Sequence, residues 1–153
     1  MNNNALIELT QQVRGYTLSI LAAAPENGLT WAPAGLSNHV LWHAGHALWV
    51  LDVLGVEPLT GRSELPVDWE ATFGMDCKPV RETQQWPARS DLAALLAEQQ
   101  TRFIELLRQT PPATFTDPKL LFEVVHGLHD EAKHSGEMYL LVKMFKAQAS
   151  SKV

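Results

Sequence analysis

The chain has 153 residues, 46% of them hydrophobic, and a formal net charge of -5 at pH 7. This length is enough for one domain with its own core, and we predict a single domain over residues 1–153. The acidic balance and the scattered basic residues argue against a nucleic-acid partner, because neutralising phosphates requires clustered lysine and arginine.

Cysteine content and hydropathy restrict the compartment in which the protein is expected. The one cysteine, Cys77, excludes an internal disulfide and is typical of a reducing compartment. The start of the chain lacks the basic and apolar pattern of a signal peptide. No apolar run reaches the roughly 20 residues of a membrane span. We therefore expect a cytoplasmic protein without a membrane partner.

The first two long helices are predicted from their apolar spacing and their end signals. One spans residues 4–24, where a proline and an Asn-Gly turn follow it. The second spans residues 36–54. Ser37 or Asn38 is its predicted N-terminal cap, and Gly55 is its predicted stop.

A long connection over residues 56–89 separates these helices from two more. Its prolines and glycines break any regular pattern, although one helical turn is predicted around Val67–Phe73. A connection of this length is usually functional, and here it could cover one end of a bundle. A third helix begins at Ser90-Asp91, and a fourth spans about 120–147. Four long helices without a convincing strand predict an all-α, four-helix bundle with one long crossover loop.

All the histidines of the chain lie in the second and fourth predicted helices. His39, His43 and His46 are spaced by four and then three residues, which places them on one stripe of the second helix. Gly45, next to His46, leaves room for a bulky group to approach the backbone. The fourth helix carries His126, His129 and His134.

The fourth helix also offers a carboxylate at helical spacing from a histidine. Asp130 and His134 are four residues apart, about 5–6 Å on a helix surface, so they could bind one ion together. His126 lies two turns from His134, roughly 12 Å, which is too far to share that ion. A third ligand must then come from the second helix. Two histidines and one carboxylate suit Fe(II), Ni(II) or Zn(II). The alternative to a metal site is that these histidines are hydrogen-bonded residues of the core.

Several of these residues form motifs that resemble a known family. The most specific are a Gly-His pair on the second helix and an Asp-Glu-x-x-His-x-Gly-Glu block on the fourth, supported by further matches in the connection. On these residues the chain resembles the DinB-like superfamily over nearly its whole length. The matching positions are Asn38-His39, Trp42, Gly45-His46, Val67–Phe73, Trp86-Pro87 and 129–137.

The resemblance implies a four-helix bundle of up-down-down-up topology, often a homodimer, with a divalent metal held by three residues. These are one histidine of the second helix and an H-x-x-x-H pair of the fourth. By position they correspond to His46, Asp130 and His134, and the aspartate departs from the family pattern. A mixed site, substitution by His126 or His129, and a degraded site all stay open. Some members would place the second-helix ligand at His43, but the Gly-His context favours His46.

Relatives with assigned chemistry include S-transferases that use thiols such as bacillithiol or mycothiol, and a metal-dependent maleylpyruvate isomerase. The resemblance therefore implies a metal-dependent enzyme acting on a small molecule, with a low-molecular-weight thiol as the candidate partner. His39 or His43 would act as general base or would position a ligand. The alternatives are a non-catalytic, stress-associated metal-binding homodimer and a purely structural bundle.

Overall fold

The computed structural model describes residues 3–36, 38–75 and 85–151. Within these ranges every regular element is helical, which confirms the all-α fold. A π-helical turn at Asp52–Val56 joins the second helix to the third without a break. The α-helices are α1 (Asn4–Ala23), α2 (Val40–Leu51), α3 (Glu57–Thr60), α4 (Trp69–Phe73), α5 (Arg89–Gln109) and α6 (Pro118–Ser150).

The four long helices α1, α2, α5 and α6 form the bundle, and contacts between α2 and α6 show that these two run antiparallel. His43, near the start of α2, meets His134 far along α6. Gly127, near the start of α6, packs against Val50 near the end of α2. The two helices therefore face each other along the part of the chain that carries the histidines.

The other helix pairs give the topology. Asn3, at the start of α1, donates hydrogen bonds to the carbonyls of Leu107 and Thr110 at the end of α5, so α1 and α5 are antiparallel. Gln99, in the middle of α5, donates to the carbonyl of Leu48, and further along α5 Phe103 packs against Gly55, just beyond α2, so α2 and α5 are parallel. The order is up-down-down-up, and parallel α2 and α5 require a long crossover between them.

Apolar side chains from all four long helices fill the interior, and one buried ion pair crosses it. Arg14 of α1 and Glu131 of α6 have no exposed side-chain surface, and Arg14 Nε donates to Glu131 Oε1 at 2.7 Å. Thr17 also donates to Glu131, at 2.8 Å. Arg14 further donates to the carbonyl of Leu96. This network fixes the rotation of α6, because Glu131 points into the core while Asp130 points toward α2.

The ends of α2 differ from the sequence-based prediction. The helix begins at Val40, and its cap is His39, whose Nδ1 accepts the N–H of Trp42 at 3.2 Å. Asn38 is not the cap, and Ser37 lies outside the described residues, as does Cys77. An imidazole nitrogen serves here as the acceptor that hydroxyl or amide oxygens usually provide.

The predicted stop at Gly55 is also wrong, because the helical path continues through it to Thr60. A Cβ at Gly55 would lie 2.9 Å from a ring carbon of Phe103, so the glycine allows close packing of α5. The path ends at Gly61, whose φ of 79° is left-handed and suits glycine. The connection to α5 is accordingly shorter than predicted. None of the helices in the described ranges is long and apolar enough to cross a membrane.

Candidate metal centre

The facing surfaces of α2 and α6 bring two histidines and one aspartate together. His46 Nε2 lies 3.5 Å from Asp130 Oδ2, and His134 Nε2 lies 3.3 Å from the same oxygen. One ligand atom from each of these residues lies within 4.8 Å of the others. We call His46, Asp130 and His134 the inner triad. These are the three residues that correspond by position to the metal ligands implied by the family resemblance.

One carboxylate oxygen of Asp130 is among the buried side-chain atoms that the described residues leave without a hydrogen bond. This oxygen, Oδ2, is buried and has no hydrogen-bond partner among the described residues, although two imidazole nitrogens face it. Contacts with His134 and then His46 hold the pKa of Asp130 well below its usual range, so the group is a carboxylate. A buried anionic oxygen without a donor is costly. A cation between this oxygen and the two nitrogens would satisfy all three atoms, so the residues fit a metal ion.

The orientation of His46 is set by a backbone carbonyl from α4. His46 Nδ1 lies 2.6 Å from the carbonyl oxygen of Phe73, and since a carbonyl can only accept, Nδ1 carries the proton. In the neutral ring, the lone pair of Nε2 then faces Asp130. The ring of Trp42 stacks on His46 with centroids 4.6 Å apart and fixes its plane. A metal-binding histidine typically has its other nitrogen held in this way.

Gly45 allows α4 to come close enough to supply that carbonyl. A Cβ at this position would lie 2.6 Å from Cζ of Phe73 and closer still to two neighbouring ring carbons. Trp69 Nε1 also donates to the carbonyl of Gly45 at 3.0 Å and ties α4 to α2. The bulky group for which Gly45 leaves room is therefore the ring of Phe73. Neither Phe73 nor Trp69 was predicted to contact the site, and only the glycine beside His46 signalled such a contact.

A second group of residues meets on the other edge of the His134 ring. His134 Nδ1 lies 2.9 Å from His43 Nδ1. Glu137 Oε2 lies 3.3 Å from His134 Nδ1 and 3.4 Å from His43 Nδ1. His43, His134 and Glu137 could also hold a metal ion. We call them the outer triad. Burial first, and then the neighbouring His134, His46 and His39, lowers the pKa of His43 to about 3, so its ring is neutral.

The remaining histidines lie outside both triads. His39 is buried as the cap of α2, its ring packs edge-on against Trp86, and burial lowers its pKa to about 4. It therefore does not continue the stripe of His43 and His46 as a helical residue. His126 and His129 are exposed on α6, and His126 stacks on Phe122.

Two cavities approach the candidate centre from opposite sides. One of about 320 Å³ is lined by His43 and Glu137 of the outer triad, with Leu36, Leu140 and Met144 among its apolar walls. The other, of about 270 Å³, is lined by Asp130, with Trp49, Leu54 and Met75 on its walls. Both have space for part of a small molecule next to the triads.

Comparisons with known proteins agree with this architecture. A crystal structure of a conserved protein from Enterococcus faecalis is similar, with a TM-score of 0.62 and 21% sequence identity over 93% of this chain and 98% of that one. This similarity supports the fold. No curated protein matches the chain. The model of the DinB superfamily matches residues 9–138, a range that includes both triads, and the chain therefore belongs to the DinB superfamily.

Proposed function

We propose that the protein binds a divalent transition-metal ion through His46 Nε2, Asp130 Oδ2 and His134 Nε2. The observation that carries this proposal is the buried Oδ2 of Asp130, which lacks a hydrogen-bond donor yet faces imidazole nitrogens at 3.3 and 3.5 Å. In the neutral ring of His46 the lone pair of Nε2 points toward this carboxylate, and a divalent cation between the two atoms would replace their repulsion with two bonds.

The chemistry of the inner triad favours particular metals. Two imidazole nitrogens and one carboxylate oxygen suit zinc, nickel and iron better than magnesium or calcium, which prefer oxygen ligands throughout. Three protein ligands also leave coordination positions for a substrate, as catalytic sites do. We therefore propose Zn, Ni or Fe as the bound metal.

The proposed activity is that of a metal-dependent enzyme acting on a small molecule, with a low-molecular-weight thiol as one substrate. A bound divalent ion would supply Lewis-acid chemistry, lowering the pKa of a thiol or water at the site. The 320 Å³ cavity offers an apolar wall for the carbon skeleton of a substrate and the exposed carboxylate of Glu137 at its polar end.

His43 and His39 act within this proposal as positioning residues. His43 is neutral and within 2.9 Å of His134 Nδ1, so it can accept that N–H and leave His134 Nε2 free to face Asp130. With its pKa at about 3, His43 is too weak a base to hold a proton at neutral pH. His39 acts further away, by capping the helix that carries His43 and His46.

Metal analysis of untagged protein tests the binding step. We expect about one tightly held ion per chain in the wild type and its loss in His46→Asn and Asp130→Asn. Asparagine can still donate to the Phe73 carbonyl, so His46→Asn removes Nε2 selectively. The matched control is His129→Asn, an exposed change on α6 that should leave the ion in place. Wild-type protein without stoichiometric metal would refute the proposal.

Turnover of electrophiles with several thiols, using metal-loaded wild type and His46→Asn, tests the catalytic step. We expect product formation that depends on both the thiol and the inner triad. Metal binding without turnover across the thiols would instead support a non-catalytic metal-binding protein. Measuring the mass of the loaded protein in solution then shows whether that protein is a homodimer.

A further inference from the structure

We infer that the chain contains a second divalent-cation site, formed by the outer triad on the opposite edge of the His134 ring from the inner triad. Its ligand atoms are His43 Nδ1, His134 Nδ1 and Glu137 Oε2. This inference goes beyond the proposed function, which uses only the inner triad.

The spacing of the three atoms matches the size of a metal ion. The pairs are 2.9, 3.3 and 3.4 Å apart, which is nearly an equilateral triangle. A point equally distant from all three lies about 1.9 Å from each, and a small shift out of their plane gives the roughly 2.0–2.2 Å of zinc–nitrogen and zinc–oxygen bonds. No rearrangement of either helix is needed to bring the three ligands together.

One proton between the two rings does not bond all three atoms of the outer triad to one another. The two Nδ1 atoms share a single proton between them, because two N–H groups cannot point at each other at 2.9 Å. The Glu137 carboxylate only accepts, and it lies 3.3 Å or more from both nitrogens. That proton satisfies both nitrogens, whereas the carboxylate oxygen, 3.3 and 3.4 Å from them, receives no donor from either ring. A divalent cation replaces the shared proton and satisfies all three atoms.

The position of the outer triad gives an ion access from solvent. The side chain of Glu137 is 57% exposed, whereas that of His43 is 3% exposed. The outer triad therefore extends from the protein surface into the interior. Both residues line the 320 Å³ cavity. His134 and Glu137 are three residues apart on α6 and share a face. Di-metal carboxylate proteins bind metal through a glutamate and a histidine three residues apart on a bundle helix, in the order Glu-x-x-His, which is reversed in this chain.

The two sites are coupled because they share His134. A neutral imidazole offers one lone pair, so binding both ions releases the remaining N–H proton of His134 to solvent and makes the ring an imidazolate bridge, across which the two ions also repel each other. We therefore expect the second ion to bind more weakly than the first. The inner site should fill first, since its aspartate is the more buried carboxylate, with 16% side-chain exposure against 57% for Glu137.

Calorimetric titration of untagged, chelator-stripped protein with Zn²⁺ tests the inference, with the visible absorption of Co²⁺ as a second readout. The double variant His46→Asn/Asp130→Asn removes the inner ligands and keeps the outer triad, and we expect it to bind one equivalent. Adding Glu137→Gln should weaken that binding at least tenfold. Wild type should bind two equivalents of unequal affinity, and Glu137→Gln alone should bind one. The matched control is Glu123→Gln on the same helix, which should change nothing.

The outcomes separate this inference from the proposed function. If the double variant is folded by circular dichroism and binds no ion, the outer site is refuted and the inner site stands. The outer site is also refuted if Glu137→Gln, a change at an exposed side chain, binds the same number of ions per chain as the wild type. A single ion that depends on Glu137 and not on His46 would support the outer site and refute the proposed function.

Discussion

Gly45 is the position at which a single methyl group should most affect the candidate metal centre. In Gly45→Ala the new Cβ would lie 2.6 Å from Cζ of Phe73 and closer to two neighbouring ring carbons, well inside contact distance. The Phe73 side chain is 2% exposed, so its ring cannot turn away into solvent. Overpacking of this kind costs about 1–3 kcal/mol of the free energy of unfolding. Alanine recovers about 1 kcal/mol of helix propensity, so the net loss should be roughly 0–2 kcal/mol.

The same substitution should weaken metal binding. Relief of the clash moves α4 away from α2 and withdraws the Phe73 carbonyl from His46 Nδ1, a bond of 2.6 Å. Loss of the group that orients a metal-binding histidine lowers metal affinity about 10–100-fold. Urea unfolding and zinc titration measure the two effects on one protein preparation.

The matched control is Gly15→Ala on α1, where a new Cβ meets nothing within 4 Å. It should stabilise the protein by about 0.5–1 kcal/mol and leave zinc affinity unchanged. Phe73→Leu in the Gly45→Ala background should recover part of the lost stability. If Gly45→Ala matched the control in both assays, the role assigned to Phe73 would be wrong.

Three further substitutions test the fold around the site. Arg14→Met leaves the buried Glu131 carboxylate without its partner and should lower the free energy of unfolding by about 3–5 kcal/mol in urea titrations, while an unchanged midpoint would contradict the buried ion pair. The pKa of His39 is about 4 when folded, so metal-free protein should lose stability as pH falls from 6.5 to 4, because only the unfolded chain gains that proton. His39→Asn keeps a cap and should reduce this pH dependence, measured as the difference between the urea midpoints at pH 7 and pH 5. An unchanged difference would contradict the role of His39 in the pH dependence. Trp69→Phe removes the hydrogen bond to the Gly45 carbonyl and should cost about 0.5–1.5 kcal/mol in thermal unfolding, whereas no change would show that this bond does not tie α4 to α2.

The sequence predicted the long helices well because apolar spacing determines which face of each helix is buried, whereas the up-down-down-up topology was implied by the family resemblance. The ends of α2 were harder to predict, because they depend on contacts between distant residues. Nothing near His39 in the sequence shows that its imidazole replaces a hydroxyl or amide cap. Gly55 has the composition of a helix stop, yet the aromatic ring that packs on it belongs to α5, 48 residues further along the chain.

The candidate centre was predictable where it depends on helical spacing alone. Asp130 and His134 are one turn apart, and the motif on α2 pointed to His46. The outer triad was not predicted, because the rotation of α2 against α6 decides that His43 meets His134. That rotation depends in part on the buried pair of Arg14 and Glu131, which periodicity does not show.

An anomalous-scattering crystal structure of untagged protein, loaded with one equivalent of Zn²⁺, tests the metal centre most directly. We expect an anomalous peak about 2.0–2.2 Å from His46 Nε2, Asp130 Oδ2 and His134 Nε2, with the Phe73 carbonyl still bound to His46. A folded protein in which the inner triad shows no peak, with Asp130 unchanged in position, would contradict this expectation.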